Sequence, residues 1–474
     1  MFRKSIIMFV GLVGATATFA QDTTAYTLQQ CVDVAIKNNF DVKKAEYMVQ
    51  SNDAYLTQAK AGLFPSISAA VSHGFNQGRS INPYTNSYID QTTFTGQYNL
   101  NAGVVLWNGS SLQSNIRQNS LTYQASQKDL EQAKNDLTIS VILAYLQVLS
   151  NQDQLTLAKR QASVTRQQVE RLTILDKGGN IAPATLYDQK GQLGTDELNI
   201  IATKNAIETA KLTLVQLMNI PYSPNMKLQA INKEESLVLY GETVDDVALQ
   251  ASQQYALVKA AELRRESAEA NVKTLKGQMY PTLSINGSLG TNYSNAATTE
   301  QYINTVDVAT KNYVISGGNK LSVYTPQDNF QSQNISYGSQ WTNNLNSYIG
   351  LALQIPIFNG LRLRSQVKLA KITAAQVTYQ QKTINTKLRQ SIDQAYVNMR
   401  TSFERYQTLD QQVKDYETSF KAATVKFDAG VITSVDYIIA KNNYDAATTN
   451  LIVSKYDYIL KTKILDYYQG KLAY

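Results

Sequence analysis

The sequence predicts an α+β membrane protein, and three observations carry that prediction. A leader marks the chain for export, the body is an internal duplication, and each half sets two alternating strand segments between long helices. The leader comes first. Arg3 and Lys4 precede an apolar run from Ile6 to Val13, and Thr18-Phe19-Ala20 offers small residues at a cleavage site. Residues 1–20 therefore read as a secretory signal peptide, too short to span a bilayer. No later stretch reaches ~18 apolar residues, so a transmembrane helix is not expected. The formal charge of +7 falls to +5 without Arg3 and Lys4, and basic and acidic residues alternate along helices. That is the pattern of solvated helix faces and argues against a nucleic-acid surface. The lone Cys31 excludes an intrachain disulfide and reads as a buried helix residue.

The duplication organises everything else. A shift of 216 residues lays Leu28–Gly74 on Val244–Gly290 without a gap, matching Phe64-Pro65 to Tyr280-Pro281. A shift of 251 lays Trp107-Asn108-Gly109 on Phe358-Asn359-Gly360, and Gly179 on Gly430. The two shifts differ by 35, which places an insertion of that length between Gly290 and Trp341, read as a long loop. The expected divisions are a first repeat over 21–220, a linker over 221–243 and a second repeat over 244–474. Each repeat reads helix, strand, loop, strand, very long helix, turn, returning helix. The hairpins fall at 65–107 and 281–357, the long helices at 110–177 and 361–428. Prolines fit the joints: Pro65 and Pro281 between helix and strand, Pro83 and Pro326 in loops, Pro183 after a turn.

Ser110 to Lys177 contains no Gly or Pro, and a helix of that length reaches roughly 100 Å. Leu130, Ala133, Leu137, Val141, Ala144, Val148, Leu155, Ala158 and Ala162 form a seam with steps of three and four, apart from one longer step before Leu155. Ile384, Leu388, Ile392, Ala395 and Met399 begin the same seam in the second half. The strands alternate differently. Tyr98, Leu100 and Val104 take one face of the first hairpin, opposite Asn99, Asn101 and Gly103; Ile349, Leu351 and Ile355 repeat the apolar face. Strands of ~10 residues with this alternation are the mark of an outer-membrane barrel, its apolar side toward lipid. Four strands cannot close, and eight give a barrel filled by side chains. Three chains give twelve strands, which leaves a pore.

Three segments resemble the TolC-like outer-membrane efflux family. Leu28–Phe40 (LQQCVDVAIKNNF) is similar to its first helix, Ile355–Gly360 (IPIFNG) to its strand-to-helix junction, and Lys426–Ala440 (KFDAGVITSVDYIIA) to its helix–turn–helix tip. The resemblance implies a homotrimer in the cell outer membrane, with a twelve-stranded transmembrane β-barrel continued by a periplasmic α-barrel of coiled-coil helices. It implies a passive efflux or export conduit, with a periplasmic membrane-fusion adaptor and an inner-membrane transporter as partners. The turns at Gly178-Gly179-Asn180 and Gly430-Val431-Ile432 would dock the adaptor. Asp436 is a gate candidate: three copies facing inward would form an acidic ring of a kind that binds cations. The plainer reading has Asp436 capping the returning helix. His73, the single histidine, sits in a strand, and no catalytic, cofactor-binding or metal residues are expected. The alternative function is a surface or periplasmic coiled-coil structural protein without a channel.

Overall fold

The computed structural model describes residues 25–81, 86–90, 92–230 and 237–471. The expected signal segment, Pro83 and part of the 221–243 linker lie outside them. The elements run α1 (Leu28–Asn38), α2 (Phe40–Ala61), β1 (Ser66–Asn76), β2 (Arg79–Ile81), β3 (Tyr88–Asp90), β4 (Thr93–Trp107), α3 (Ser111–Lys177) and α4 (Pro183–Met218). The second half follows as α5 (Val244–Gln254), α6 (Ala256–Gly277), β5 (Thr282–Ser294), β6 (Thr298–Ser316), β7 (Asn319–Asn334), α7 (Tyr337–Asn343), β8 (Asn346–Gln354), α8 (Arg362–Asp428) and α9 (Ser434–Tyr468). The chain divides into two compact units. One holds residues up to 49 with 126–261 and 381–474; the other holds 50–125 and 262–380.

The first unit is helical, and two apolar clusters hold it. Val141, Ile142, Tyr145, Val148 and Leu149 of α3 pack with Cys31, Val32 and Ala35 of α1 and with Leu214, Val215 and Met218 of α4. Here α3 is buried well beyond its seam, with both α1 and α4 packed against it. Leu388, Ile392, Ala395 and Met399 of α8 pack with Val247 and Ala251 of α5 and with Tyr458 and Leu465 of α9. Between α4 and α5, Leu228 forms a parallel bridge with Tyr26. The Tyr145 hydroxyl ties this pair to α3, 3.0 Å from the Tyr26 carbonyl and 2.6 Å from that of Gln229. Burial pushes the Tyr145 phenol up to about 12.

Each opening helix proves to be two. Asn39 and Tyr255, equivalent under the 216-residue shift, take extended backbone and separate α1 from α2 and α5 from α6. The Asn39 side chain then accepts from the amides of Asp41 at 2.8 Å and Val42 at 3.3 Å, which restarts the helix.

The second unit is built on a four-stranded antiparallel sheet in the order β1-β4-β5-β8. Its register aligns Val71 with Tyr98 and Ala69 with Leu100. Leu100 then meets Leu289 and Val104 meets Ile285, while Ile285 meets Leu351 and Gly287 meets Ile349. Paired residues share a face, so the apolar positions of all four strands form one continuous surface. Ser68, Ser72, Asn99, Asn101, Asn286 and Ser288 line the other. The strands hand over to the long helices at Asn108-Gly109-Ser110 and Asn359-Gly360-Leu361. Both junctions use two successive residues of positive φ, Gly109 and Ser110, then Gly360 and Leu361. A Cβ on Gly109 would stand 2.5 Å from the Gly277 carbonyl, so only glycine fits there. A Cβ on Gly360 would meet nothing within 4 Å.

Two expectations need correction. The insertion is not a loop: β6 and β7 form a separate two-stranded hairpin, followed by α7. Pro326 accordingly lies in a strand, opposite Asp307. Ile355, expected on the apolar face, falls just past the end of β8 at Gln354.

Candidate functional site

In the helical unit the two interhelical turns have one construction. The Asn180 amide bonds the Leu175 carbonyl at 2.9 Å, and the Val431 amide bonds that of Lys426 at 2.8 Å. Gly179 and Gly430 occupy the left-handed position between, with φ of 68° and 72°. This glycine-bearing closure satisfies the last carbonyls of α3 and α8. The turns stand side by side. Arg171 of α3 is ion-paired with Asp428 of α8, and Ser434 of α9 donates to Asp188 of α4 at 2.8 Å. A groove of about 490 Å³ runs between them, lined by Leu172, Asn180, Ile181, Phe427, Gly430 and Ile432. Val431 is exposed at its edge.

Asp436 is a cap in this structure. Its carboxylate accepts from the Thr433 amide at 3.1 Å and hydroxyl at 2.6 Å, and the Thr433 hydroxyl accepts from the Asp436 amide at 3.2 Å. This reciprocal box starts α9. The Thr433 hydrogen bonds hold the Asp436 carboxyl below the usual range. Its stabilisation is therefore full above the unfolded pKa and fades as pH falls through the depressed one. Ala182 begins α4 without a side-chain cap, so the first tip lacks the device.

Above the tips lies a buried ionic cluster that the sequence did not disclose. Lys441 of α9 is 1% exposed. Its ammonium meets Asp196 of α4 at 3.0 Å and Asp445 of its own helix at 2.5 Å. Thr165 of α3 donates to Asp196 at 2.5 Å, and Gln192 donates to its other oxygen at 2.8 Å. Burial outweighs Lys441 at Asp445 and raises its carboxyl. The i, i+4 spacing of Lys441 and Asp445 is visible in sequence. Asp196, 245 residues away, is not.

On the sheet, Leu100, Ile349 and Leu351 are exposed on the apolar face. Tyr98 shares that face but is half-covered, contrary to a simple lipid-facing role. Trp341 of α7 lies over its ring at 4.6 Å, and its hydroxyl bonds His73 and, at 2.6 Å, Tyr337. Tyr337 also packs on Tyr293 at 4.9 Å, and Thr291 donates to the Trp341 carbonyl at 2.9 Å. Short α7 thus builds an aromatic rim on the apolar face, the arrangement found where barrel strands cross the membrane interface. Among the described residues no helix is long and apolar enough to cross a membrane, and no cluster of three or more His, Cys, Asp or Glu could hold a metal ion.

The profile of the outer membrane efflux protein family matches residues 31–219 and 247–465. The chain belongs to this family. It is an outer-membrane protein of the efflux-channel class, with its helical tunnel in the periplasm. The two matched segments stop short of the linker, and each carries two strands of the four-stranded sheet, one long helix and one tip. The chain is 21% identical to outer membrane protein TolC of Salmonella enteritidis, across 99% of this chain and 87% of that one. Its fold is similar to that of the Campylobacter jejuni CmeC outer membrane channel, with a TM-score of 0.72, 17% identity and coverage of 94% and 85%. It is also similar to Vibrio cholerae VceC, with a TM-score of 0.71, 16% identity and coverage of 94% and 96%.

Removing the cation from the buried cluster tests its weight. Lys441→Met leaves Asp196 and Asp445 facing one another away from water, with an expected loss of roughly 3–5 kcal/mol. Lys414→Met, which breaks an exposed pair with Asp410, should cost far less, because solvent screens that pair. Amide exchange along α4 and α9 reads the difference; equal protection in the two variants would contradict it.

Proposed function

We propose that this chain is the channel subunit of a tripartite efflux or export system, a passive homotrimeric conduit without catalytic activity of its own. The observation that carries this reading is the sheet with two open edges. Its internal contact supplies the missing one. The first-half strand β4 pairs with the second-half strand β5 inside the chain. The duplication makes β8 equivalent to β4, and β1 equivalent to β5. Hence β8 pairs with β1 of the next copy, in a register obtained by applying the two shifts. Asn101 opposite Ser288 becomes Ala352 opposite Ser72 of the neighbour. Val104 opposite Ile285 becomes Ile355 opposite Ala69, which returns Ile355 to a strand and to the apolar face. The same symmetry brings the open Gly360 junction onto α2 of the neighbour, as Gly109 meets Gly277 within the chain. Ile357 and Phe358 beside it are 93% and 80% exposed here, and Tyr55 of α2 and Phe64 just after that helix are exposed as well.

Three copies close twelve strands around the polar face of Asn and Ser, while Leu100, Val104, Ile349, Leu351 and Ile355 meet lipid. The tips Gly178–Asn180 and Gly430–Ile432 dock a periplasmic adaptor, which couples the conduit to an energised inner-membrane transporter. The exposed Val431 and the groove between the tips support this placement. Asp436, one carboxylate oxygen of which is left outside the cap, lines the closed end as a ring of three and attracts cations.

A Ser72→Cys, Ala352→Cys double variant should form interchain disulfides that lock SDS-resistant trimers; each single variant should not. Absence of cross-linking in folded, membrane-inserted protein would contradict the closure. Leu351→Arg places a charge in lipid at a cost of roughly 2–4 kcal/mol, and should lower the trimer yield far more than Asn101→Arg. Equal tolerance would show that the faces are reversed.

Gly430→Val forces a branched residue into positive φ and should abolish export while leaving the trimer in the membrane. Unimpaired export would remove the tip from adaptor docking. Asp436→Ala should weaken cation block of single channels from the periplasmic side; an unchanged block leaves Asp436 as a cap alone.

A further inference from the structure

The β6–β7 hairpin far outgrows its counterpart in the first half, the three-residue strands β2 and β3, and its physical position is anomalous. It is 19 residues long on one strand and 16 on the other. It pairs only with itself, and it is exposed along nearly its whole length on both faces. An isolated two-stranded hairpin is marginal in water. This one also exposes Tyr302, Tyr313, Val314, Ile315, Leu321, Tyr324 and Phe330. A surface of that kind wants a cover.

Its root says what the cover is. The hairpin leaves the sheet at Ser294 of β5 and returns through α7 to Asn346 of β8. That is the end of the strands away from the helices, and therefore the cell exterior. β8 is the strand that meets the next copy, so the hairpin is rooted beside the interprotomer seam. Charge along it is segregated. The acids Glu300, Asp307 and Asp328 occupy the root half, and the lysines Lys311 and Lys320 the tip half, for a net charge of −1. Head-to-tail contacts around a closed three-fold ring bring unlike surfaces together.

Dimensions permit it. A 19-residue strand spans ~60 Å at ~3.3 Å per residue. Twelve tilted strands spaced ~4.8 Å apart make a barrel roughly 25 Å across, with neighbouring roots ~20 Å apart. A stagger of that size along the hairpin carries Lys311 to the level of Asp328. It also brings Lys320 toward Asp307. Resting on the trimer reading above, we propose that the three hairpins form an interlocked collar over the channel mouth. The basic, apolar tip of each lies on the acidic middle of the next copy.

The test uses the full-length protein, purified as the trimer, with a photo-reactive benzophenone side chain replacing Tyr313. Irradiation should give covalent dimers and trimers, with the cross-link mapped to residues 300–330 of the neighbour. Lys311→Glu with Lys320→Glu should reduce that yield at least several-fold. Adding Asp307→Lys and Asp328→Lys to the same chain should restore it, a rescue that a misfolded hairpin would not show. The Ser72–Ala352 disulfide is the reference for closure. If it forms while no interchain photoproduct appears, or charge reversal changes nothing, the collar is overturned and the channel reading stands. If neither forms, both fall.

Discussion

Unpaired backbone at the two edges of one sheet is the constraint from which the rest of this molecule follows. β1 and β8 end the order β1-β4-β5-β8 with a full row of amides and carbonyls each. In water, such edges invite aggregation. In a bilayer they cannot exist at all, because nothing in the hydrocarbon answers them. The sheet also commits one face to apolar side chains and the other to Asn, Ser and Gln. Closure with further copies satisfies both demands at once: the edges disappear, and the polar face becomes a lumen.

The duplication makes that closure economical to encode. In the proposed trimer, one strand-to-strand contact and one strand-to-helix junction serve twice per chain, once inside and once between copies. The Gly109–Gly277 approach is the internal instance, and the bare surroundings of Gly360 are the place left for the external one. Where the halves differ, they differ at the ends. The capping box of Thr433 and Asp436 starts the second returning helix, and the cluster around Lys441 ties that helix to α4. At the other end, the first half has only the short β2–β3 pair, while the second half carries the long β6–β7 hairpin and the aromatic helix α7. The shared middle builds a conduit, and the unshared ends face whatever the conduit opens to.

Much of this was legible in the sequence because it rests on period and repetition. Heptad steps place Val141, Val148 and Ala162 in the core of α3, and all three are buried. Strict alternation through residues 94–106 fixes which face of β4 is apolar. Other features depend on non-local contacts, and these were not legible. β6 and β7 read as a loop because Asn, Gln, Ser and Thr fill both of their faces, so no alternation marks them as strands. Tyr98 carries the right period for a lipid-facing residue, yet Trp341, 243 positions later, lies over it. The break at Asn39 has no proline or glycine to announce it, and Asp196 gives no sign that it meets Lys441. For Asp436, the plainer of the two readings was a cap at the start of the returning helix, and a cap, made with Thr433, is what the structure contains.

The account stands or falls on the number of copies that close the barrel, and native mass measurement of the detergent-solubilised protein counts them directly. Three copies in one complex, stable in detergent and dissociating to single chains only on strong heating, is the predicted result. A folded, heat-resistant single chain, or a complex of two, would contradict it, because neither leaves a twelve-stranded wall around an open lumen.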